Sequence, residues 1–273
     1  MEEILLRQAR EVMSAEPPVV DKDVSLTHAI DVAGKAKTDR VILTEDGAVR
    51  GILTLRDVIF KLGTARTKSV SPSALHASSF ASEPVVTVSP GDPLLKSVKS
   101  MVEGGFTSTP VASEGGAVEG VISRWELASL IAESPAAGDV SVRDAMRTPP
   151  ATATLQTRIL HIRQLIFQHD LSVIPVMEGG RFVGVVGVDE IARVFLKYYE
   201  LSRGEPKRIT PLKFLVAADA ITLRPPKLEP DASLAEAASL IARRRYRAVV
   251  VVDADKPVGV VTGIELAKAL LGR

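Results

Sequence analysis

One short string recurs four times along the chain, and it limits the fold more than any other feature. Gly51-Ile52-Leu53-Thr54-Leu55-Arg56-Asp57 returns as Gly120-Val121-Ile122-Ser123-Arg124-Trp125-Glu126, as Gly184-Val185-Val186-Gly187-Val188-Asp189-Glu190 and as Gly259-Val260-Val261-Thr262-Gly263-Ile264-Glu265. The glycines lie 69, 64 and 75 residues apart, so nearly all 273 residues belong to repeats. Each copy is a short apolar strand running into an amphipathic helix. Each follows a turn rich in acid and glycine, such as Glu45-Asp46-Gly47 or Glu178-Gly179-Gly180.

The segments upstream are in phase too. Ser25 stands 29 residues before Thr54, and Ser233 stands 29 before Thr262. Repeats 1 and 4 are thus the closest pair, and repeat 3, led by Pro149-Pro150-Ala151-Thr152, is the most worn. Periodicity gives each unit the order β-α-β-β-α. A short first strand (Val19-Val20, or Val85 with its neighbours up to Val88) precedes a helix with one apolar face, as at Leu234, Ala237, Ala238 and Ile241. A second, near-continuous apolar strand such as 248–252 follows, then the hairpin and the corner helix. The fold class is α/β (α+β).

A unit of about sixty residues buries too little surface to stand alone, so the units are expected to pack in pairs. The pairs would be residues 1–135 and 139–273, with repeats over about 1–63, 83–133, 139–198 and 213–273. Residues 133–138 read as a short linker, and inserts at 64–82 and 198–213 join the repeats within each pair.

These motifs resemble the cystathionine beta-synthase (CBS) domain, and a tandem pair resembles a Bateman module. The resemblance covers essentially the whole chain and extends to the gamma subunit of AMP-activated kinase. It implies a regulatory, non-enzymatic protein that binds adenine ribonucleotides (AMP, ADP or ATP) between paired repeats and signals to a partner in trans or to a second copy. S-adenosylmethionine is a further ligand of this class. A disc built from the two modules of one chain and a disc built by a dimer both fit.

Composition sets the outer limits. There is no cysteine, hence no disulfide, thiol nucleophile or zinc-thiolate site. No apolar run reaches the roughly 18 residues of a membrane span, and Glu2, Glu3, Arg7 and Arg10 are unlike a secretion signal; a cytoplasmic location is expected. The net charge of +1 and few aromatic residues argue against nucleic acid as a partner. Absent asparagine and scarce glutamine are a bias of proteins from hot environments. The four histidines show no metal-ligand spacing, and no nucleophile elbow or P-loop occurs, so no catalytic or metal residue is assigned.

The chemistry therefore rests on the corners. Thr54 and Asp57 place a hydroxyl and a carboxylate three residues apart at a helix start, beside unpaired backbone N–H groups. That set suits a ribose phosphate: carboxylate to the sugar diol, hydroxyl and amides to phosphate. The same spacing is also a capping box, and the residues alone leave both readings open. The family resemblance favours nucleotide contact, in the order Thr54/Asp57, then Thr262/Glu265, then Ser123/Glu126. Glutamate for aspartate at three corners is expected to push the carboxylate outward, and Gly187 removes the hydroxyl from the third. Arg40 and Arg247, each just before an apolar strand, are the candidate phosphate cations, with Lys37 and Arg56 behind them. Val20, Val85-Val86 and Lys227-Leu228 are placed to line a base slot. The competing reading is an assembly scaffold in which the corners are only caps.

Overall fold

The computed structural model describes residues 1–62, 72–148, 151–202 and 210–272. Residues 63–71, 149–150, 203–209 and 273, which include the first part of one insert and the middle of the other, lie outside the described residues. The repeat order is as the periodicity predicts. In repeat 1, Val19–Asp21 pairs in parallel with Arg40–Glu45, which pairs antiparallel with Ala48–Thr54 before the corner helix Leu55–Lys61. Repeat 4 matches it with Lys227–Leu228, Ala248–Asp253, Lys256–Thr262 and the corner helix Gly263–Leu270.

The first strand is shortest in repeat 2, which keeps a single parallel bridge, Val88 to Val111. Repeat 3 keeps Ala153–Thr154, as short as Lys227–Leu228 of repeat 4, but its ladder starts one residue later, at Val176. In repeats 1 and 4 the ladder begins with Ile42 N–H donating to the Pro18 carbonyl at 2.9 Å and Val250 N–H to that of Pro226 at 3.0 Å. Pro110 and Pro175 hold the equivalent places in the middle strands of repeats 2 and 3, opposite Val121 and Val185. Proline has no N–H, so the bond that would start the ladder cannot form.

The two main cores run between the halves. One core joins repeats 1 and 3, from Leu26, Leu43 and Ile59 to Ile162, Ile174 and Phe195. The other joins repeats 2 and 4, from Leu94, Ile122 and Leu127 to Ile241, Val251 and Leu266. Contact within each half is made by the sheets, the apolar faces that a single unit leaves uncovered. Val49 N–H donates to the Gly116 carbonyl at 2.8 Å, and Phe182 N–H to that of Asp255 at 2.9 Å. Val173 and Val185 meet Val250 and Val260 in a smaller third core. The four repeats close into a ring, with sheets meeting inside each half and helices between halves. The reason is area: the amphipathic helices carry the broader apolar faces, and these seek one another. The expected linker is itself structured, since Pro135–Gly138 is one helical turn with Ala137 fully buried in the second core.

The fourfold glycine has a packing cause. At each copy, the segment leading into a neighbouring repeat crosses the strand. A Cβ on Gly120 would lie 2.7 Å from the Ser14 carbonyl, and one on Gly184 would lie 2.5 Å from that of Thr222. On Gly51 it would meet no backbone atom closely, only the flexible Glu83 side chain at 3.0 Å and the Ala81 Cβ at 3.3 Å. Gly184→Ala is therefore expected to cost about 1–3 kcal/mol and Gly51→Ala under about 1 kcal/mol, read from urea unfolding midpoints. Equal losses would contradict this account of the motif.

Candidate functional site

The corners fold as capping boxes. Asp57 Oδ2 accepts from the Thr54 N–H at 2.9 Å and from its hydroxyl. Glu126 Oε2 takes the Ser123 N–H at 2.8 Å, and Glu265 Oε2 the Thr262 N–H at 3.1 Å, each with the hydroxyl as well. The expectation that glutamate reaches further out is thus corrected. Both glutamates fold back over the helix start, and Glu265 is buried. The cap uses one oxygen of each carboxylate. The second oxygen of Asp57, Oδ1, accepts from the Ser82 hydroxyl at 3.1 Å.

Corner 3 is different. A Cβ on Gly187 would lie 2.6 Å from the Ser172 carbonyl, which explains why no hydroxyl residue stands there. Both oxygens of Glu190 are engaged, one by the Gly187 N–H at 3.0 Å and one by the Thr222 hydroxyl at 2.7 Å.

A cavity of about 340 Å³ lies where the four repeats converge. Corners 1 and 4 open onto it through Thr54, Asp57, Thr262 and Glu265. Arg56, Arg147 and Arg247 bring cations to its wall, and Val85, Val86 and Phe106 an apolar surface. Val86 is 47% exposed, an unusual position for a valine beside a core. Val20, Arg40, Ser123 and Glu126 are not part of the wall. Val20 is packed in the first core, and Ser123 is buried under its own cap.

Arg40 is turned away from the cavity by strand register. Arg40 lies opposite Thr54, whereas Ala248 lies opposite Thr262, so Arg247 is the counterpart of Asp39, not of Arg40. Side chains alternate along a strand, and this one-residue offset sends the two arginines to different faces. Arg40 Nε and Nη2 donate to Asp39 Oδ1 at 3.0 and 2.8 Å, and its guanidinium stacks over Trp125 at 5.1 Å.

What the sequence reading missed is an ionic hub that draws on all four repeats. Asp39 Oδ2 also accepts from Arg124 Nη2 at 2.7 Å and lies 2.7 Å from Arg247 Nη2. Arg247 in turn donates through Nε and Nη2 to Asp189, at 3.1 and 2.6 Å. Burial works to raise the Asp39 carboxyl, but Arg124, Arg40 and Arg247 together outweigh it and hold it well below the usual carboxylate range. Burial is also the main influence on Arg124, whose guanidinium it pulls down to about 10, still charged at neutral pH. A signal did exist in the sequence: equivalent positions of repeats 1 and 4 carry opposite charges, Asp39 and Arg247.

The two other cations on the cavity wall are also held, Arg56 across repeats and Arg147 within repeat 3. Arg56 donates to Asp170 Oδ1 and the Leu171 carbonyl, both at 2.6 Å. Arg147 donates to the carbonyls of His169 and Asp170, at 2.7 and 3.0 Å. Among the described residues no cluster of three or more potential metal ligands occurs, and no helix is long and apolar enough to cross a membrane.

Residues 9–63, 77–133, 142–197 and 217–272 each match the family model described as the CBS domain. The chain belongs to the CBS domain family. The four-repeat CBS ring superposes on a Methanocaldococcus jannaschii protein described as a candidate archaeal homologue of g-AMPK, with a TM-score of 0.86, 12% identity and coverage of 96% of this chain and 99% of that one. An uncharacterized conserved protein of Pyrococcus horikoshii gives a TM-score of 0.65 at 15% identity, covering 97% and 100% of the two chains. At such identities the likeness is one of fold. Among curated sequences, an uncharacterized M. jannaschii protein is 22% identical over 97% of this chain and 62% of its own length. The L-aspartate semialdehyde sulfurtransferase of the same organism is 22% identical over 53% of this chain and 28% of its own. The chain therefore spans less than two thirds of either relative.

Proposed function

We propose that the protein is a regulatory sensor that binds an adenine ribonucleotide in the central cavity. The observation that carries this reading is the convergence of corners 1 and 4, each with a hydroxyl and a carboxylate, on one cavity that also presents three guanidiniums. In this reading Asp57, and Glu265 at the second seat, hold the ribose diol. Thr54 or Thr262 and the helix-start amides face the phosphate, Arg247 supplies its counter-charge, and Val85 and Val86 flank the base. Corners 2 and 3 lie off the cavity wall and serve as caps. Residues 1–135 and 139–273 act as two Bateman modules whose relative arrangement shifts with occupancy. The output passes to a partner in trans or to a second copy.

The wall is not strongly positive. Asp39, Asp57, Asp170 and Glu265 stand against Arg56, Arg147 and Arg247. This balance favours AMP over ADP and ATP, and it makes S-adenosylmethionine, which carries no phosphate, the second reading.

Native mass spectrometry of freshly purified protein and melting curves with AMP, ATP and S-adenosylmethionine test the proposal. A ligand at 100 times its dissociation constant adds about 2.7 kcal/mol, a readily measured rise in melting temperature. A flat response to all three would remove the sensing reading and leave the scaffold.

A further inference from the structure

Arg247 is shared between the cavity and the interior. It lines the cavity, yet its Nε and Nη2 are both engaged by Asp189 in the two-pronged geometry typical of arginine with a carboxylate. Its Nη1 has no hydrogen-bond partner among the described residues.

The two acids on Arg247 are unequal. The Asp39 side chain is 8% exposed and is held by Arg40 and Arg124 as well. The Asp189 side chain is 43% exposed, and its hydrogen-bonding partner among the described residues is Arg247 alone. Asp189, partly exposed and held among the described residues only by Arg247, has water to turn to, whereas Asp39 stays held by Arg40 and Arg124. Asp189 is also absent from the cavity wall, so it would not touch a ligand there. A phosphate presents the same pair of oxygens to the guanidinium fork as a carboxylate does.

We propose that Asp189 is an internal competitor for the ligand phosphate. It occupies the Arg247 fork while the cavity is empty, and a nucleotide phosphate takes that fork as Asp189 swings into water. The inference rests on the adenine-nucleotide reading above and adds to it a residue that sets affinity without contacting ligand. It also assigns a task to repeat 3, whose own corner lacks a hydroxyl and has both glutamate oxygens engaged. Asp189 stands at the start of the corner helix Val188–Ser202, and Val188, Ile191 and Phe195 of that helix lie in the core shared with repeat 1. Losing the Asp189–Arg247 tie on binding frees that helix start from the hub, so occupancy is passed to the corner helix of repeat 3.

Calorimetric titration of AMP and of adenosine into the wild type, Asp189→Asn and Asp189→Glu tests this. Asparagine keeps the shape but removes the competing charge, so AMP should bind about tenfold more tightly. Adenosine, which has no phosphate, should bind all three proteins alike, and the glutamate variant should match the wild type for AMP. A merely structural role for Asp189 would weaken AMP and adenosine together. AMP affinity unchanged or lowered in Asp189→Asn, or equal tightening of adenosine, would overturn the competitor while leaving the nucleotide site intact. Failure of AMP and adenosine to bind any of the three proteins would overturn the nucleotide reading, and this inference with it.

Discussion

Replacing Asp39 by asparagine is expected to lower the stability of the protein by about 3–5 kcal/mol, the cost of removing one partner from a buried ion cluster. Its carboxylate accepts from Arg40 and Arg124 and lies 2.7 Å from Arg247. The three guanidiniums are themselves almost wholly buried, with side-chain exposures of 3, 3 and 9%. Without the acid they would repel one another at short range, with little water to screen them. The native protein should show the same dependence through pH. Because the folded-state carboxyl of Asp39 lies below its unfolded value, its contribution is fully present above the unfolded pKa of about 3.9 and is lost as pH falls through the folded one. Urea unfolding at pH 7 and in acid measures both effects. The variant should have a lower midpoint at pH 7 and a shallower decline in acid than the wild type. Matching midpoints at pH 7 would show that the hub contributes nothing net to the fold.

How far this architecture was legible depends on the range over which each feature is encoded. The fold was legible because the Gly-x-x-hydroxyl corner is local and repeats in phase. The family resemblance puts Thr54/Asp57 and Thr262/Glu265 ahead of Ser123/Glu126 and Gly187, and the first two pairs are those that line the cavity. The phosphate cations were half legible. Arg40 and Arg247 both precede an apolar run, but the residue that faces inward is set by cross-strand register, which a basic residue next to valines does not reveal. Of the hub only the opposite charges at the equivalent positions Asp39 and Arg247 were legible, because its members are distant in sequence: Asp39 and Arg124 are 85 positions apart, and Asp189 and Arg247 are 58. Such charges read as ordinary surface until the ring closes over them. The same holds for the cores. Each amphipathic helix announces an apolar face, but nothing in a single helix says that repeat 1 covers repeat 3. The later start of the first ladder in repeats 2 and 3 was within reach of the sequence, since Pro110 and Pro175 stand in the middle strands where an N–H is needed.

The largest effect on binding is expected from Asp57→Ala. A hydrogen bond to a charged group contributes about 1.5–3 kcal/mol, so loss of the carboxylate that holds the ribose should weaken AMP roughly ten- to 150-fold. The substitution also removes a helix cap worth about 1 kcal/mol, so the titration belongs well below the melting temperature of the variant. Glu126→Gln supplies the comparison. It alters the equivalent acid of a corner that lies off the cavity, in a form that can still accept from the Ser123 N–H. Calorimetric titration of AMP into the wild type, Asp57→Ala and Glu126→Gln therefore tests most directly whether the cavity between corners 1 and 4 is the nucleotide seat. The account predicts binding by the wild type, a drop of at least tenfold in Asp57→Ala and an affinity within about twofold of the wild type in Glu126→Gln. AMP affinity unchanged in Asp57→Ala, or lost in Glu126→Gln and retained in Asp57→Ala, would contradict it.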